Sequence, residues 1–236
     1  MEISVRDAAA QLRIDESRVR RMLRDRDLVG HRMGGMWLVN AEDVARRVAF
    51  ALPSGHRPGG RPMSARRAWG LLDLLDGGYP VWLSPSARSQ VRAQVRKLSG
   101  ADAARWRAAL RARSEILPAA GHPAAVGRLR QESDVRVAGP SEAAAQGLNL
   151  LVLHERPELY VRPEAWPALQ ARYGLRVSPR DPALLIHLPR DGWWPPGDRL
   201  SAPVLAADLL EHPEPRAVST AVAMLNERAA RVGRAG

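Results

Sequence analysis

The amino-acid sequence predicts an α+β fold with a small N-terminal domain, a basic and mostly helical middle, and a mixed α+β C-terminal domain. Apolar residues recur at helical spacing through much of the first half. A glycine pair, Gly34-Gly35, separates two short strand-like runs, and beyond Asp134 apolar runs alternate with helical segments. The predicted parts are a domain at 1–52, a linker at 53–63, a helical subdomain at 64–132 and an α+β domain at 133–236.

Two short helices open the chain. Apolar residues at three- and four-residue spacing give Val5–Leu12 one apolar face. Arg13-Ile14-Asp15 is the predicted turn, and Asp15 can cap the next helix through that helix's free backbone N–H groups. The apolar side of this second helix consists of Val19, Met22 and Leu23.

The opposite side of the second helix is basic. It carries Ser17, Arg20, Arg21 and Arg24, with Arg18 beside them. A small polar residue among several arginines is typical of a helix that contacts base edges and phosphates. A solvated charged face is the alternative interpretation, because acidic residues are interspersed with the arginines.

A hairpin is predicted over Leu28–Val39. Gly34-Gly35 supplies the positive φ angles that a two-residue hairpin turn requires. His31 and Arg32 on its first strand are candidates for contact with phosphates or the minor groove, whereas Trp37 is expected in the core.

A third helix completes the N-terminal domain. Asn40 is the predicted cap of Ala41–Val48, with Asp43 as the acidic partner in a capping box. A helix, a turn, a basic helix, a hairpin and a capped helix form, in this order, a winged helix-turn-helix, which places a basic helix in a DNA groove. The sequence therefore predicts double-stranded DNA as the partner of residues 1–52.

This stretch resembles the excisionase-type, MerR-like winged helix-turn-helix family. The resemblance rests on five segments: Val5-Arg6-Asp7-Ala8-Ala9, Asp15 to Arg24, Leu28, Gly34-Gly35-Met36-Trp37 and Asn40-Ala41-Glu42-Asp43-Val44. It implies DNA binding without fixing the biological role, since members of the family include phage excisionases, bacterial repressors and antitoxins.

Positive charge is concentrated after the first domain. Residues 1–52 hold 10 basic and 8 acidic residues, a net charge of +2, and residues 132–236 hold 12 and 13, a net charge of −1. Residues 53–131 hold 14 and 4, a net charge of +10. Arg88, Arg92 and Arg96 form a stripe at four-residue spacing that could contact phosphates. An acidic protein partner is the competing explanation.

Apolar runs and turn residues predict the elements of the rest of the chain. Pro53–Pro62 is the linker, and Val81–Leu83 is a short apolar run expected as a strand. Predicted helices are Ala65–Leu75 capped by Ser64, Pro85–Leu98, Ala101–Leu117, His122–Gln131, Pro140–Gln146, Pro163–Tyr173, Pro203–Leu210 and Pro215–Val232. Predicted strands are Val135–Ala138, Asn149–His154 and Glu158–Val161 as a hairpin, and Leu184–Leu188.

The C-terminal part resembles the carboxy-terminal domain of AbiEi-type antitoxins and related transcriptional regulators. The resemblance rests on the order of its elements, Ser141-Glu142-Ala143-Ala144-Ala145 with Gly147-Leu148, Ala202 to Leu210, and Pro213-Glu214-Pro215-Arg216. The segments Gly60 to Ser64 and Ala68-Trp69 also contribute to this resemblance. The resemblance implies binding to the protein's own promoter and neutralisation of a nucleotidyltransferase-like toxin.

No catalytic or cofactor motif is present. There is no Gly-x-x-x-x-Gly-Lys-Ser/Thr loop and no Gly-x-Ser-x-Gly elbow, and the chain has no cysteine for a disulfide or a thiolate zinc site. The six histidines are scattered without ligand spacing. We expect no enzyme activity, no cofactor and no metal.

Two features of the C-terminal part allow specific expectations. One ring of Trp193-Trp194 could be exposed as a contact for a partner, although a loop folded back over the sheet is the alternative. Asp208 and Arg216 could form an ion pair between the two closing helices.

The leading hypothesis is a cytoplasmic, sequence-specific transcriptional regulator, in particular a repressor of its own operon that acts as an antitoxin. The N-terminus lacks the features of a signal peptide, and no apolar run could span a membrane. Operators are often inverted repeats read by paired domains, so a homodimer is one candidate assembly, although the sequence shows no coiled coil and assigns no dimer surface. The alternatives are an excisionase-like architectural protein that bends DNA and a nucleic-acid enzyme with a targeting domain.

Overall fold

The computed structural model describes residues 2–12, 14–24, 28, 30–41, 44, 63–148, 150, 156–178, 182–212 and 214–234. The chain forms two compact units, an N-terminal unit at Met1–Gly59 and a C-terminal unit at Gly60–Gly236. The boundary between them falls inside the predicted linker, whose residues 53–62 lie outside the described ones. Within the described part of the chain, no helix is long and apolar enough to cross a membrane.

The N-terminal unit combines two helices with a three-stranded antiparallel sheet. The elements are β1 Glu2–Ser4, α1 Val5–Leu12, α2 Glu16–Arg24, β2 Gly30–Met33 and β3 Met36–Asn40. The hairpin of β2 and β3 is the wing. The strand order is β1-β3-β2, so the first residues of the chain add a third strand to the wing.

Local sequence signals account for these elements. The Ser4 hydroxyl accepts the Asp7 backbone N–H at 3.1 Å and donates to the Asp7 carboxylate at 2.7 Å, which fixes the start of α1. Gly34 and Gly35 have φ angles of 56° and 84°, as the predicted two-residue turn requires. The predictions for both helices and for the hairpin are confirmed. Strand β1, only three residues long, was not predicted.

A small apolar core holds the N-terminal unit together. The buried residues are Val5, Ala8, Ala9, Val19, Leu23, Leu28, Val39 and Val44. Met22 and Trp37 pack against this core, which agrees with the apolar positions predicted for α2 and the wing. Ala41 and Val44 are helical, but most of the predicted third helix, including Asp43, lies outside the described residues.

The C-terminal unit is larger and contains a five-stranded sheet. Its helices are α3 Ala65–Leu75, α4 Pro85–Leu98, α5 Ala103–Leu110, α6 Pro123–Leu129, α7 Pro140–Ala145, α8 Trp166–Arg172, α9 Ala202–Leu209 and α10 Pro215–Arg234. Its strands are β4 Ser114–Ala120, β5 Val135–Ala138, β6 Glu158–Val161, β7 Arg176–Val177 and β8 Leu184–Pro189. The strand order is β5-β6-β8-β4-β7, with β6 and β8 parallel and the other pairs antiparallel.

The sheet separates two hydrophobic cores. Helices α6 and α8 pack on one face, where Leu159 of β6 and Ile186 of β8 are buried. The larger core lies on the other face and includes Tyr160 of β6 and side chains of α3, α4, α5, α7, α9 and α10. Neighbouring residues of a strand point to opposite faces, so a single strand contributes to both cores.

Residues 64–132 and 133–236 do not form separate domains. Strand β4, from the predicted helical subdomain, lies between β8 and β7 in the sheet. Helices α3, α4 and α5 share one core with α9 and α10. The predicted boundary at 132/133 therefore runs through one unit, because the sheet pairs strands that are distant in sequence.

Two local predictions in the middle of the chain are wrong. The predicted helix Ala101–Leu117 ends at Leu110, and the segment after it is strand β4. Pairing on both edges of β4 outweighs the helical preference of its alanines. The apolar run Val81–Leu83 is a turn rather than a strand. The Ser64 residue precedes α3 as predicted, but its side chain makes no capping hydrogen bond.

A buried ion pair joins the sheet to the helices behind it. Arg113, only 4% exposed, donates from its guanidinium to Asp208 Oδ1 at 2.6 Å, and the Tyr160 hydroxyl donates to the same oxygen at 2.7 Å. Burial opposes the charged form of Arg113, but Tyr160 and Asp208 outweigh it and raise the pKa of the guanidinium. The predicted pair of Asp208 with Arg216 is wrong, because Asp208 is turned into this core while Arg216 is exposed.

The two adjacent tryptophans fold back onto the C-terminal unit. Trp193 stacks on the buried Trp69, with ring centroids 3.6 Å apart and planes 1° from parallel. Arg162 lies over the ring of Trp194, 4.6 Å from its centroid. Neither ring is exposed, so the loop is folded back as in the alternative interpretation, but Trp193 stacks on helix α3 rather than on the sheet.

Candidate nucleic-acid interface

Helix α2 presents one continuous basic face to solvent. Val19 and Leu23 are buried beneath the helix, while the predicted contact residues are all exposed: Ser17, Arg18, Arg20, Arg21 and Arg24. The amphipathic spacing of the sequence produces this arrangement, since the apolar residues hold one side of α2 in the core. The basic side is therefore free to meet a ligand.

The start of α2 is fixed by an aspartate cap. The Asp15 carboxylate accepts the Arg18 backbone N–H at 2.8 Å and the hydroxyl hydrogen of Ser17. These hydrogen bonds, that of Ser17 first, hold the pKa of Asp15 below its ordinary value. The Ser17 hydroxyl thus has its proton committed to Asp15, and it can meet a base edge only as an acceptor unless that bond breaks.

A groove separates α2 from the wing. It encloses about 520 Å³, and its lining combines the start of α1, one side of α2 and the turn of the hairpin. Four arginines line it: Arg6, Arg20, Arg24 and Arg32. Glu16 is an acidic residue in the same lining. A concave surface with four guanidinium groups suits a phosphate backbone, which carries regularly spaced negative charge.

The exposed polar and basic side chains of α2 point in different directions. At about 100° per residue, Ser17, Arg21 and Arg24 lie opposite the buried side, Arg20 is rotated toward the wing and Arg18 away from it. The groove lining includes Arg20 together with Ser17 and Arg24 but neither Arg18 nor Arg21, so the groove lies on the Arg20 side of the helix. The central residues are therefore best placed for base edges, and the flanking ones for phosphates on either side.

One arginine of this face already has an ionic partner. Arg20 donates to Glu16 at 2.5 Å across one helical turn, and both side chains are about half exposed. Among the described residues, Arg18, Arg21 and Arg24 have no such partner. A phosphate at the groove would have to compete with Glu16 for Arg20 but not for Arg24, the other α2 arginine in the lining.

The two predicted wing contacts lie on opposite faces of the sheet. The guanidinium of Arg32 stands over the ring of Trp37, 5.4 Å from its centroid, on the side of the groove. His31 instead pairs with Glu2 of β1, with 3.2 Å between Nδ1 and Oε1. Successive residues of a strand alternate between faces, so the structure brings Arg32 to α2 but not His31.

The basic stripe of α4 belongs to the C-terminal unit, and its members differ. Arg88 donates to the carbonyl oxygen of Leu83 at 2.5 Å and lies over the ring of Tyr79 at 4.8 Å. Arg92 is exposed and also approaches Tyr79, at 5.6 Å, and Arg96 is exposed. The stripe exists, but Arg88 uses its hydrogen-bonding capacity on the protein's own backbone.

Sequence reasoning missed Arg6 and Met36 as residues of the groove. Arg6 is the second residue of α1, where free N–H groups and a positive helix end favour an anion. That position in the first turn was the available signal. Met36 had no comparable signal, because its place in the lining depends on how the hairpin folds over α2.

The comparisons with known proteins concern this unit. The model of a helix-turn-helix domain family matches residues 2–49, about a fifth of the chain. Neither a curated protein nor a solved structure matches the chain. The N-terminal unit is therefore a helix-turn-helix domain of the DNA-binding kind. The AbiEi-like resemblance of the C-terminal part finds no support in these comparisons.

Proposed function

We propose that this protein is a sequence-specific transcriptional regulator that represses its own promoter. The observation that carries the proposal is the exposed basic face of α2, which borders an arginine-lined groove beside a hairpin wing. Arg21 and Arg24 would meet base edges in the major groove, where arginine pairs with guanine through two hydrogen bonds. Arg18, Arg20, Arg6 and Arg32 would hold phosphates. The proposed role is binding without catalysis.

We further propose that the C-terminal unit binds a protein partner. The turn between α3 and α4 exposes Tyr79, Val81 and Trp82, three apolar side chains next to one another. Arg66 and Arg88 donate to backbone carbonyls of this turn and keep its shape. An apolar patch with a basic rim suits an acidic partner with an apolar anchor. A toxin would be such a partner if the protein is an antitoxin.

Footprinting of the full-length protein on the DNA upstream of its own gene tests the regulatory proposal. We expect protection of one or more short sites, arranged as an inverted repeat if a homodimer binds. Arg21→Ala and Arg24→Ala should each weaken specific binding by about 1–3 kcal/mol. Arg216→Ala removes an exposed arginine far along the chain and serves as the matched control.

Two outcomes would contradict the proposal. Equal operator affinity for the wild type, Arg21→Ala and Arg24→Ala would remove this face from the interface. Equal affinity of the wild type for the upstream fragment and for unrelated DNA of the same length would remove sequence specificity.

A further inference from the structure

The tip of the wing carries two exposed methionines. Met33 and Met36 are 62% and 70% exposed and face each other directly across the hairpin turn. Among the described residues of the N-terminal unit, the exposed large apolar side chains are those of Met33 and Met36. Two such side chains on one tip give it a small apolar end that none of the described residues of the unit covers.

The tip is also narrow. The residues between the two methionines are Gly34 and Gly35, and a Cβ atom added at either would meet nothing within 4 Å. In a two-residue turn of glycines, the methionines are the outermost side chains of the wing. Methionine is unbranched and polarizable, so it can adapt to a confined apolar space.

The surroundings of the tip favour DNA over an apolar protein surface. Met36 lines the same groove as Arg6, Arg20 and Arg24, and Arg32 lies one residue pair behind the two methionines on the same hairpin. A ligand that reaches Met36 from the groove must pass guanidinium groups. Duplex DNA has the required combination, with phosphates on the outside and stacked apolar base faces between them.

We propose that Met33 and Met36 form a wedge that enters the minor groove beside the site read by α2 and partly separates two stacked base pairs. The inference rests on the proposed DNA-binding function. Apolar wedges of this kind kink the duplex toward the major groove, and steps that unstack easily, such as TA and CA/TG, accept them best. The wing would thereby select a deformable step and bend the operator around the N-terminal unit.

The test measures binding and bending separately on the full-length protein. The probe is the upstream duplex protected in footprinting, labelled at its ends for energy transfer and carrying 2-aminopurine at successive steps beside the site. The double variant Met33→Gln/Met36→Gln keeps the side-chain length but makes the tip polar. The double variant Met33→Leu/Met36→Leu keeps it apolar and is the matched control. Circular dichroism checks that both variants are folded.

The wild type should shorten the end-to-end distance and raise 2-aminopurine fluorescence at one step, as unstacking does. The leucine variant should retain both effects. The glutamine variant should lose both and bind about tenfold more weakly, a change of about 1.4 kcal/mol. Replacing the responsive step by a stiff A-tract should remove most of the difference between the wild type and the glutamine variant.

The outcomes separate this inference from the proposal on which it rests. The wedge proposal is wrong if the glutamine variant bends the duplex as the wild type does. It is also wrong if the wild type binds its site without bending or unstacking it. In both cases the regulator proposal stands. A wild type that binds no upstream DNA overturns both. If the glutamine substitutions change only the oligomeric state in sedimentation, the tip is a protein contact and the wedge is wrong.

Discussion

Arginine has opposite environments in the two units. In the N-terminal unit, Arg21 and Arg24 extend from α2 into solvent and have no ionic partner among the described residues. In the C-terminal unit, Arg113 is buried and its guanidinium bonds to Asp208 and to the carbonyl oxygen of Leu110. Arg21 and Arg24 keep their donors available for a ligand, whereas both terminal nitrogens of Arg113 donate to acceptors within the protein.

The difference teaches that an arginine count does not locate a binding surface. The segment with the largest excess of positive charge, residues 53–131, includes Arg113 and also Arg88, which bonds to the backbone. The nearly neutral residues 1–52 contain the face with free guanidinium groups. What decides the role is whether hydrogen bonds inside the protein already satisfy the donors.

The largest effect we expect comes from breaking the buried pair. Arg113→Met should lower the free energy of unfolding by about 3–5 kcal/mol, because it leaves the Asp208 carboxylate in the core without its counter-ion. Urea denaturation followed by circular dichroism measures this change.

A double variant tests whether the unpaired charge is the cause. Arg113→Met/Asp208→Leu replaces both charges by apolar side chains and should be more stable than Arg113→Met alone. A double variant less stable than the single one would attribute the loss to packing rather than to the pair.

A smaller effect should separate the arginines of the α4 stripe. Arg88→Ala should destabilise the protein by about 1–3 kcal/mol, since Arg88 donates a charged hydrogen bond to the turn before α4. Arg92→Ala removes only an exposed contact with Tyr79 and should lower the free energy of unfolding by at most about 0.5–1 kcal/mol. The midpoints of thermal unfolding measure both. Equal losses of stability in the two variants would contradict the distinction between an arginine that is hydrogen-bonded within the protein and one that is free to bind a ligand.

Local signals were sufficient for much of the N-terminal unit. The cap at Asp15, the spacing of Val19 and Leu23, and the glycine pair each act within a few residues, and the structure has the helix and the hairpin that they predict. The exposure of the α2 arginines follows from the same spacing, so that part of the candidate site could be predicted from sequence.

Features that depend on distant pairing could not be predicted. Ser114–Ala120 is a strand because β8 and β7, both more than about 50 residues further along the chain, pair with it. The partner of Asp208 is Arg113, which no local pattern relates to it. In the site, His31 and Arg32 must point to opposite faces because they are neighbours in a strand, but which of them points toward α2 depends on which face of the sheet packs on the helices.

The smallest effect concerns the one paired arginine of the α2 face. Glu16→Gln should change the free energy of unfolding by only about 0.2–0.5 kcal/mol, because its pair with Arg20 is exposed and screened. It should nevertheless strengthen DNA binding, by about 1 kcal/mol or less at low salt, since Arg20 becomes available and a negative charge leaves the groove. The gain should shrink as salt is added.

The matched control is Glu2→Gln, which removes the same charge from the same unit. Glu2 pairs with His31 on the face of the sheet away from the groove, so its loss changes the net charge without releasing an α2 arginine. Titrations of both variants against the same duplex over a range of salt concentrations separate the two contributions. A larger gain for Glu16→Gln supports the groove as the place where phosphates bind. Equal gains in DNA affinity would mean that overall charge alone governs binding. The pair with Glu16 would then not limit the contribution of Arg20.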